Sequence, residues 1–235
     1  YISFLDNSLR SILMIENIKV GLSFFLTFTF IFLLGLYDDK FDSSPNVRLV
    51  LLSIFIFNFL YFNQSVLVEE LNLSFLNEKI LLNKISFLFT FCCILVFVIS
   101  MNMFDGTNLQ SVSFYFFLII YLFSKSLEFN FFLFFLIISI LFFAIKNFQG
   151  KAFLGDGGTY LISFIFSLII INNHNYLNIK SDEIATILIF PIVDTVRLYF
   201  ARILENKNPF LPDKNHFHHI ILNKFKGNFS IIIII

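Results

Sequence analysis

Seven apolar stretches long enough, or nearly long enough, to cross a bilayer dominate this sequence. They lie near 20–37, 47–62, 82–101, 111–124, 129–146, 158–172 and 184–201, and an eighth opens at Ile231. A bilayer core takes about 20 residues of helix, within a range of roughly 17–25, so the second and fourth are short. In lipid every backbone N–H and C=O must be satisfied inside the protein, which leaves helices or closed barrels as the spanning structures. Composition points the same way: 58% of the residues are apolar and 14% charged, against about 25% charged in soluble domains. The expected fold is therefore an all-α polytopic membrane protein, a multi-helix transmembrane bundle forming one domain over residues 1–235. With four Pro and eight Gly, most spans should be unbroken.

Other features narrow the reading further. The formal net charge is zero, which gives no reason to expect a nucleic-acid partner. Cys92 and Cys93 are neighbours on one helix and point apart, so they suit neither a disulfide nor a metal site. No signal-peptide pattern opens the chain and no long-period repeat runs through it. The start at Tyr1 and the apolar run Ile231–Ile235 suggest a fragment truncated at both ends.

Numbering the links between spans separates two sides. One side holds 38–46, 102–110, 147–157 and 202–230, and the other holds 1–19, 63–81, 125–128 and 173–183. Counting those at the helix ends, ten of the 16 Lys and Arg fall on the first side and six on the second, which puts the first side in the cytoplasm. In the link 63–81, the alternation at Leu71, Leu73 and Phe75 predicts a short outer hairpin.

The chemistry-bearing residues collect on the first side. Asp38, Asp39 and Asp42 close the first span as GLYDDKFD. Carboxylates at a helix C-terminus oppose the macrodipole and repel each other, which calls for a cation. Mg²⁺ suits such oxygen ligands and commonly adds substrate phosphates to one or two carboxylates. Asn102, Asp105 and Asn108 form a turn, NMFDGTN, after the third span. The stretch GKAFLGDGGT carries Lys151 and Asp156 into the sixth span, where a helix start offers free N–H groups to an anion. The longest link carries PFLPDKNHFHH, with His216, His218 and His219. No Cys accompanies these imidazoles, and they suit a phosphate better than zinc. His174, in NNHNY on the other side, looks incidental. Asp194 lies inside the seventh span, where a carboxylate needs a partner or a function; Arg197 and Arg202 are within reach.

In this order and combination, GLYDDKFD, NMFDGTN, FLGDGGT and PFLPDKNHFHH resemble the polyprenyl-phosphate N-acetylhexosamine-1-phosphate transferases of glycosyltransferase family 4, over residues 35–219. The PF-x-PD-x-x-H-x-HH segment is more similar to the sugar-phosphate branch than to the related phospho-MurNAc-pentapeptide transferases. The resemblance implies a Mg²⁺-dependent enzyme, with Mn²⁺ as a substitute ion. Its substrates would be a UDP-N-acetylhexosamine and undecaprenyl phosphate, and UMP would be released at the start of a cell-surface polysaccharide such as O-antigen or teichoic acid. It further implies a multi-pass protein of the bacterial inner membrane, with its site facing the cytoplasm; a homodimer is also among the expectations.

By the same resemblance, Asp38, Asp39 and Asp105 would be catalytic. Asn102, Asn108, Lys151, His216, His218 and His219 would bind substrate, and Asp156 with Asp39 would hold the metal. Two departures stand out: Asn108 and Leu109 replace an Asp-Gly pair common in the second motif, and the third motif ends in GGT. These bear on sugar and uridine selectivity. The alternatives are a phospho-MurNAc-pentapeptide transferase, an ion-coupled transporter and a non-catalytic scaffold. A transporter would need mid-membrane charges and broken spans, and only Asp194 fits.

Overall fold

The computed structural model describes residues 18–125, 131–177 and 179–204. Each of the seven expected spans is a helix: α1 (Ile18–Phe41), α2 (Pro45–Phe62), α3 (Ser86–Phe104), α4 (Gln110–Ser124), α5 (Phe131–Phe148), α6 (Gly155–Leu177) and α7 (Ser181–Leu204). Five of these regions are long and apolar enough to cross a membrane, while the apolar stretches of α4 and α5 are shorter. The protein is an all-α polytopic membrane protein. Large apolar side chains such as Phe25, Ile120, Phe135, Phe142 and Phe200 face outward, as a lipid solvent permits.

Helix α6 is the centre of the bundle. Of its apolar stretch, 61% is buried, against 39% or less in the other four long spans. It packs on α1 and on α3; α2 leans on α1, and α7 on α3. Phe164 of α6 meets Phe28 of α1 and Phe59 of α2 edge-on, with ring centroids 5.7 and 5.2 Å apart, the offset that aromatic quadrupoles favour. Further along α6, Phe166 stacks on Tyr115 of α4 at 5.1 Å, within a cluster that includes Phe97 of α3 and Ile140 of α5.

Local chemistry sets the helix ends. Asp42, at φ 48°, closes α1 by donating its N–H to Asp38 O at 2.8 Å. Pro45 then opens α2 at a position where its missing N–H costs nothing. The anticipated hairpin in the 63–81 link is present as β1 (Glu70–Leu71) and β2 (Ile80–Leu81), antiparallel, with Glu70 opposite Leu81 and Leu71 opposite Ile80.

This hairpin link is tied to the start of α7. Ser181 N–H donates to Asn72 O at 2.7 Å, Asn72 N–H to Ser181 Oγ at 3.0 Å, and Lys180 Nζ to Asn72 Oδ1 at 2.9 Å. His174 has a structural place here: buried, it shares a 2.9 Å hydrogen bond with Ser181 Oγ. Asp194 is paired with Arg197, at 2.8 Å, one turn along α7.

Candidate functional site

At the opposite end of α6 from His174, three of the four chemical segments converge. The approach begins with Gly35 of α1. A Cβ at that position would lie 2.2 Å from Gly157 Cα and N and 2.5 Å from the Asp156 carbonyl carbon. Glycine on both sides lets two helix backbones touch, a means of close packing common in membranes. One turn beyond this contact, α1 carries Asp38 and Asp39 to the first turn of α6.

Asp39 fills the anion site anticipated at the start of α6. Its Oδ1 accepts the Asp156 N–H at 2.8 Å and its Oδ2 the Gly157 N–H at 3.4 Å. A carboxylate there satisfies donors that lack intrahelical partners and complements the positive end of the dipole. Gly155, at φ 65°, admits it: a Cβ would stand 2.5 Å from Asp39 Oδ2. The cap belongs to one helix and the capped end to another, so no sequence-local capping signal announces it. Asp39→Ala is expected to lower stability by about 1 kcal/mol, with Asp39→Asn close to wild type; thermal unfolding of the detergent-solubilised protein measures both.

Asp38 turns the other way. It is buried, and its Oδ1 accepts Ser43 N–H at 2.8 Å and Ser43 Oγ–H at 2.5 Å. Its Oδ2 meets Arg48 Nη1 at 2.5 Å, and the same nitrogen reaches Asp156 Oδ2 at 3.0 Å. The sequence called for a metal ion among Asp38, Asp39 and Asp42; what stands between Asp38 and Asp156 is the guanidinium of Arg48, reaching in from α2. Arg48 went unassigned in the sequence because nothing local connects it to either motif. Lys151, the basic residue nearest Asp156 in sequence, is exposed and stands outside this ion-pair network.

The second segment joins through Asn102, whose Nδ2 donates to Thr159 Oγ1 at 3.1 Å; Thr159 is buried in the first turns of α6. Asp105, just past α3, is half-buried and accepts the Ser111 hydroxyl. Burial raises its pKa above the ordinary carboxylate range, and the Ser111 bond offsets this only in part. The ionised form therefore costs stability, a cost absent at pH values low enough to protonate it and present above its raised pKa. Asn108 lies half-buried in the same turn. Buried Asn147, at the end of α5, ties that turn to the third segment by bonds to Leu109 and Ala152. His216, His218 and His219 lie outside the described residues, as does most of the 202–230 link.

Among the described residues, no three His, Cys, Asp or Glu side chains cluster as a ready-made metal cage. The donor set nevertheless suits Mg²⁺. Two carboxylates from different helices, Asp38 and Asp156, converge on the place that Arg48 Nη1 holds. Mg²⁺ takes one or two carboxylates and completes its shell with phosphate and water oxygens, and it would share or displace that guanidinium there.

The sequence matches the family model "Glycosyl transferase family 4" over residues 21–174. It is 26% identical over 205 residues to the undecaprenyl-phosphate alpha-N-acetylglucosaminyl 1-phosphate transferase of Salmonella typhi, covering 80% of this chain and 54% of that protein. With the protein of that name from Escherichia coli K12 it shares 25% over 206 residues, again 80% and 54% of the two chains. With that from Thermotoga maritima it shares 28% over 216 residues, 90% and 65%. The chain thus spans between about half and two thirds of the length of these relatives.

Proposed function

The chain belongs to glycosyl transferase family 4, and from that premise we propose that it transfers an N-acetylhexosamine-1-phosphate from a UDP-sugar to undecaprenyl phosphate. The observation that carries this reading is the meeting of Asp38, Asp39, Asp156 and Asn102 at one end of a membrane bundle. A water-soluble nucleotide sugar and a phosphate on a lipid can meet only at such an interface. The names of the relatives support the lipid substrate.

In the proposed step, an oxygen of the lipid phosphate attacks the β-phosphorus of the donor. A new P–O bond forms, the bond from the β-phosphorus to the bridging oxygen breaks, and UMP departs with that oxygen. A phosphate monoester has its second pKa near about 6, so the nucleophile is already largely dianionic at neutral pH and requires no strong base. Positioning and electrostatics then carry most of the catalysis.

The resemblance gave the metal to Asp156 with Asp39; because both Asp39 oxygens accept N–H groups at the start of α6, Asp38 takes the place of Asp39, and Asp38 and Asp156 would hold Mg²⁺. When bound, the ion neutralises the diphosphate and stabilises charge on the leaving group. Arg48 holds the two carboxylates in place. Asn102 and Asn108 bind the nucleotide sugar with the catalytic carboxylate of Asp105 against it, while Lys151, His216, His218 and His219 contact phosphates. The site faces the cytoplasm of a bacterium, and the product begins a cell-surface glycan.

The test is UMP release by membranes carrying the full-length protein, given undecaprenyl phosphate, Mg²⁺ and a panel of UDP-N-acetylhexosamines alongside UDP-MurNAc-pentapeptide. Release from at least one UDP-N-acetylhexosamine, dependent on the lipid, is expected. Silence across the panel sinks the proposal, and release from the pentapeptide donor alone moves it to the peptidoglycan branch.

A further inference from the structure

The link after α3 contains a conformation that its sequence does not favour. Leu109 sits at φ 67°, in the left-handed region where a Cβ crowds the backbone. Something must hold it there. The side chain of Asn147, 6% exposed at the end of α5, accepts the Leu109 N–H through Oδ1 at 2.6 Å and donates through Nδ2 to Ala152 O at 2.8 Å. These partners fix the orientation of the amide, since an N–H needs an oxygen opposite it and a carbonyl needs a donor. Leu109 precedes α4 and Ala152 precedes α6, so one buried amide serves two backbone groups that lie outside the helical ladders. Neighbouring bonds stiffen the same corner. Gly150 N–H returns to Asn147 O at 2.9 Å and Lys151 N–H to Lys146 O at 2.9 Å, while Thr107 Oγ1 donates to Gln110 Oε1 at 2.9 Å.

We propose that Asn147 is a positioning residue, a clamp that holds the left-handed turn at Leu109 against the 150–155 link. It thereby sets Asp105 and Asn108 at a fixed separation from Lys151 and Asp156. The inference rests on the transfer reading above, since those four residues are the ones assigned there to substrate and metal. Binding of the UDP-sugar then depends on an amide buried behind the groups that would touch it.

Two readouts test the clamp in the full-length protein. In the transfer assay, Asn147→Ala is expected to raise KM for the UDP-sugar about tenfold, the loss of roughly one buried hydrogen bond's worth of positioning, with kcat changed less than about threefold. Asn147→Asp keeps the acceptor for Leu109 but has no donor for Ala152 and should fall between; it also serves if the alanine variant fails to fold. Adding Leu109→Gly, which reaches φ > 0 without strain, to Asn147→Ala should recover much of the lost KM. An amide that only supports the fold would lower the yield of active protein and leave KM unchanged.

The second readout is hydrogen–deuterium exchange, which needs no donor sugar. Asn147→Ala should speed exchange in both 105–112 and 148–155. A KM unchanged in a folded variant, or exchange accelerated in neither segment, overturns the clamp. If wild-type membranes release UMP from no donor, the transfer reading falls and the exchange readout alone decides the clamp.

Discussion

Gly35→Ala is expected to abolish a stable fold, or to cost at least about 3 kcal/mol, the upper range for forcing extra atoms into a packed interface. The new Cβ would lie 2.2 Å from two backbone atoms of Gly157 and 2.5 Å from a third of Asp156. No side-chain rotation relieves a clash with backbone, so α1 and α6 must separate. Separation breaks more than packing. It draws Asp39 away from the N–H groups it caps at 2.8 and 3.4 Å, and lengthens the 3.0 Å reach of Arg48 to Asp156. Stability and site should therefore fail together. The measurement is the yield and melting temperature of the detergent-solubilised full-length variant, beside Leu33→Ala as control. Leu33 lies on the same helix but is 51% exposed, and its truncation should cost little. A Gly35→Ala protein melting at the wild-type temperature would show that these helices do not approach as closely as described.

What the sequence disclosed, and what it withheld, divides along physical lines. The spans were legible because burial in lipid writes itself locally: a helix that must satisfy its own backbone in hydrocarbon reads as a long apolar run. The hairpin was legible in its link but not in its strands: of Leu71, Leu73 and Phe75, whose alternation pointed to it, only Leu71 lies in a strand, and Ile80–Leu81 pairs with it from further along. The gathering of Asp38, Asp39, Asn102 and Asp156 followed from counting links, because alternate links share a side of the membrane. Contacts between distant segments left no such trace. Arg48 looks like one more basic residue at a helix start, Asn147 like a polar residue ending a span, and Gly35 like a stray glycine in an apolar run. Each acquires its role only when α6 is placed against α1, or the end of α5 against the links before α4 and α6. The role of Asp39 as a cap shows the same limit: the anion site at the start of α6 was readable, but the anion that fills it was not.

Arg48→Ala is the second large effect. Its Nη1 lies 2.5 Å from Asp38 and 3.0 Å from Asp156, and the Asp38 side chain is only 4% exposed. Removing the guanidinium leaves two facing carboxylates with no positive charge between them. Breaking a buried ion pair by deleting one partner costs about 3–5 kcal/mol, and the partial exposure of Asp156, 25%, places this case near the lower end. Because one nitrogen serves both acceptors, Arg48→Lys should retain much of the stability.

The same geometry predicts how the loss is repaired. Without its resident cation, the Asp38–Asp156 pair becomes a better site for an added one. The melting temperature of Arg48→Ala should therefore rise with millimolar Mg²⁺ and fall with chelator more steeply than that of wild type. Asp156→Asn in the Arg48→Ala background removes one of the repelling charges, so the double variant should be more stable than Arg48→Ala alone and should lose most of its Mg²⁺ response. Asp156→Asn alone is expected to lower UMP release by at least about a hundredfold, the scale of losing one group that stabilises charge in a transition state. A double variant less stable than either single one would show that Arg48 serves α2 packing and not the two carboxylates. A full Mg²⁺ response surviving in that double variant would place the ion elsewhere.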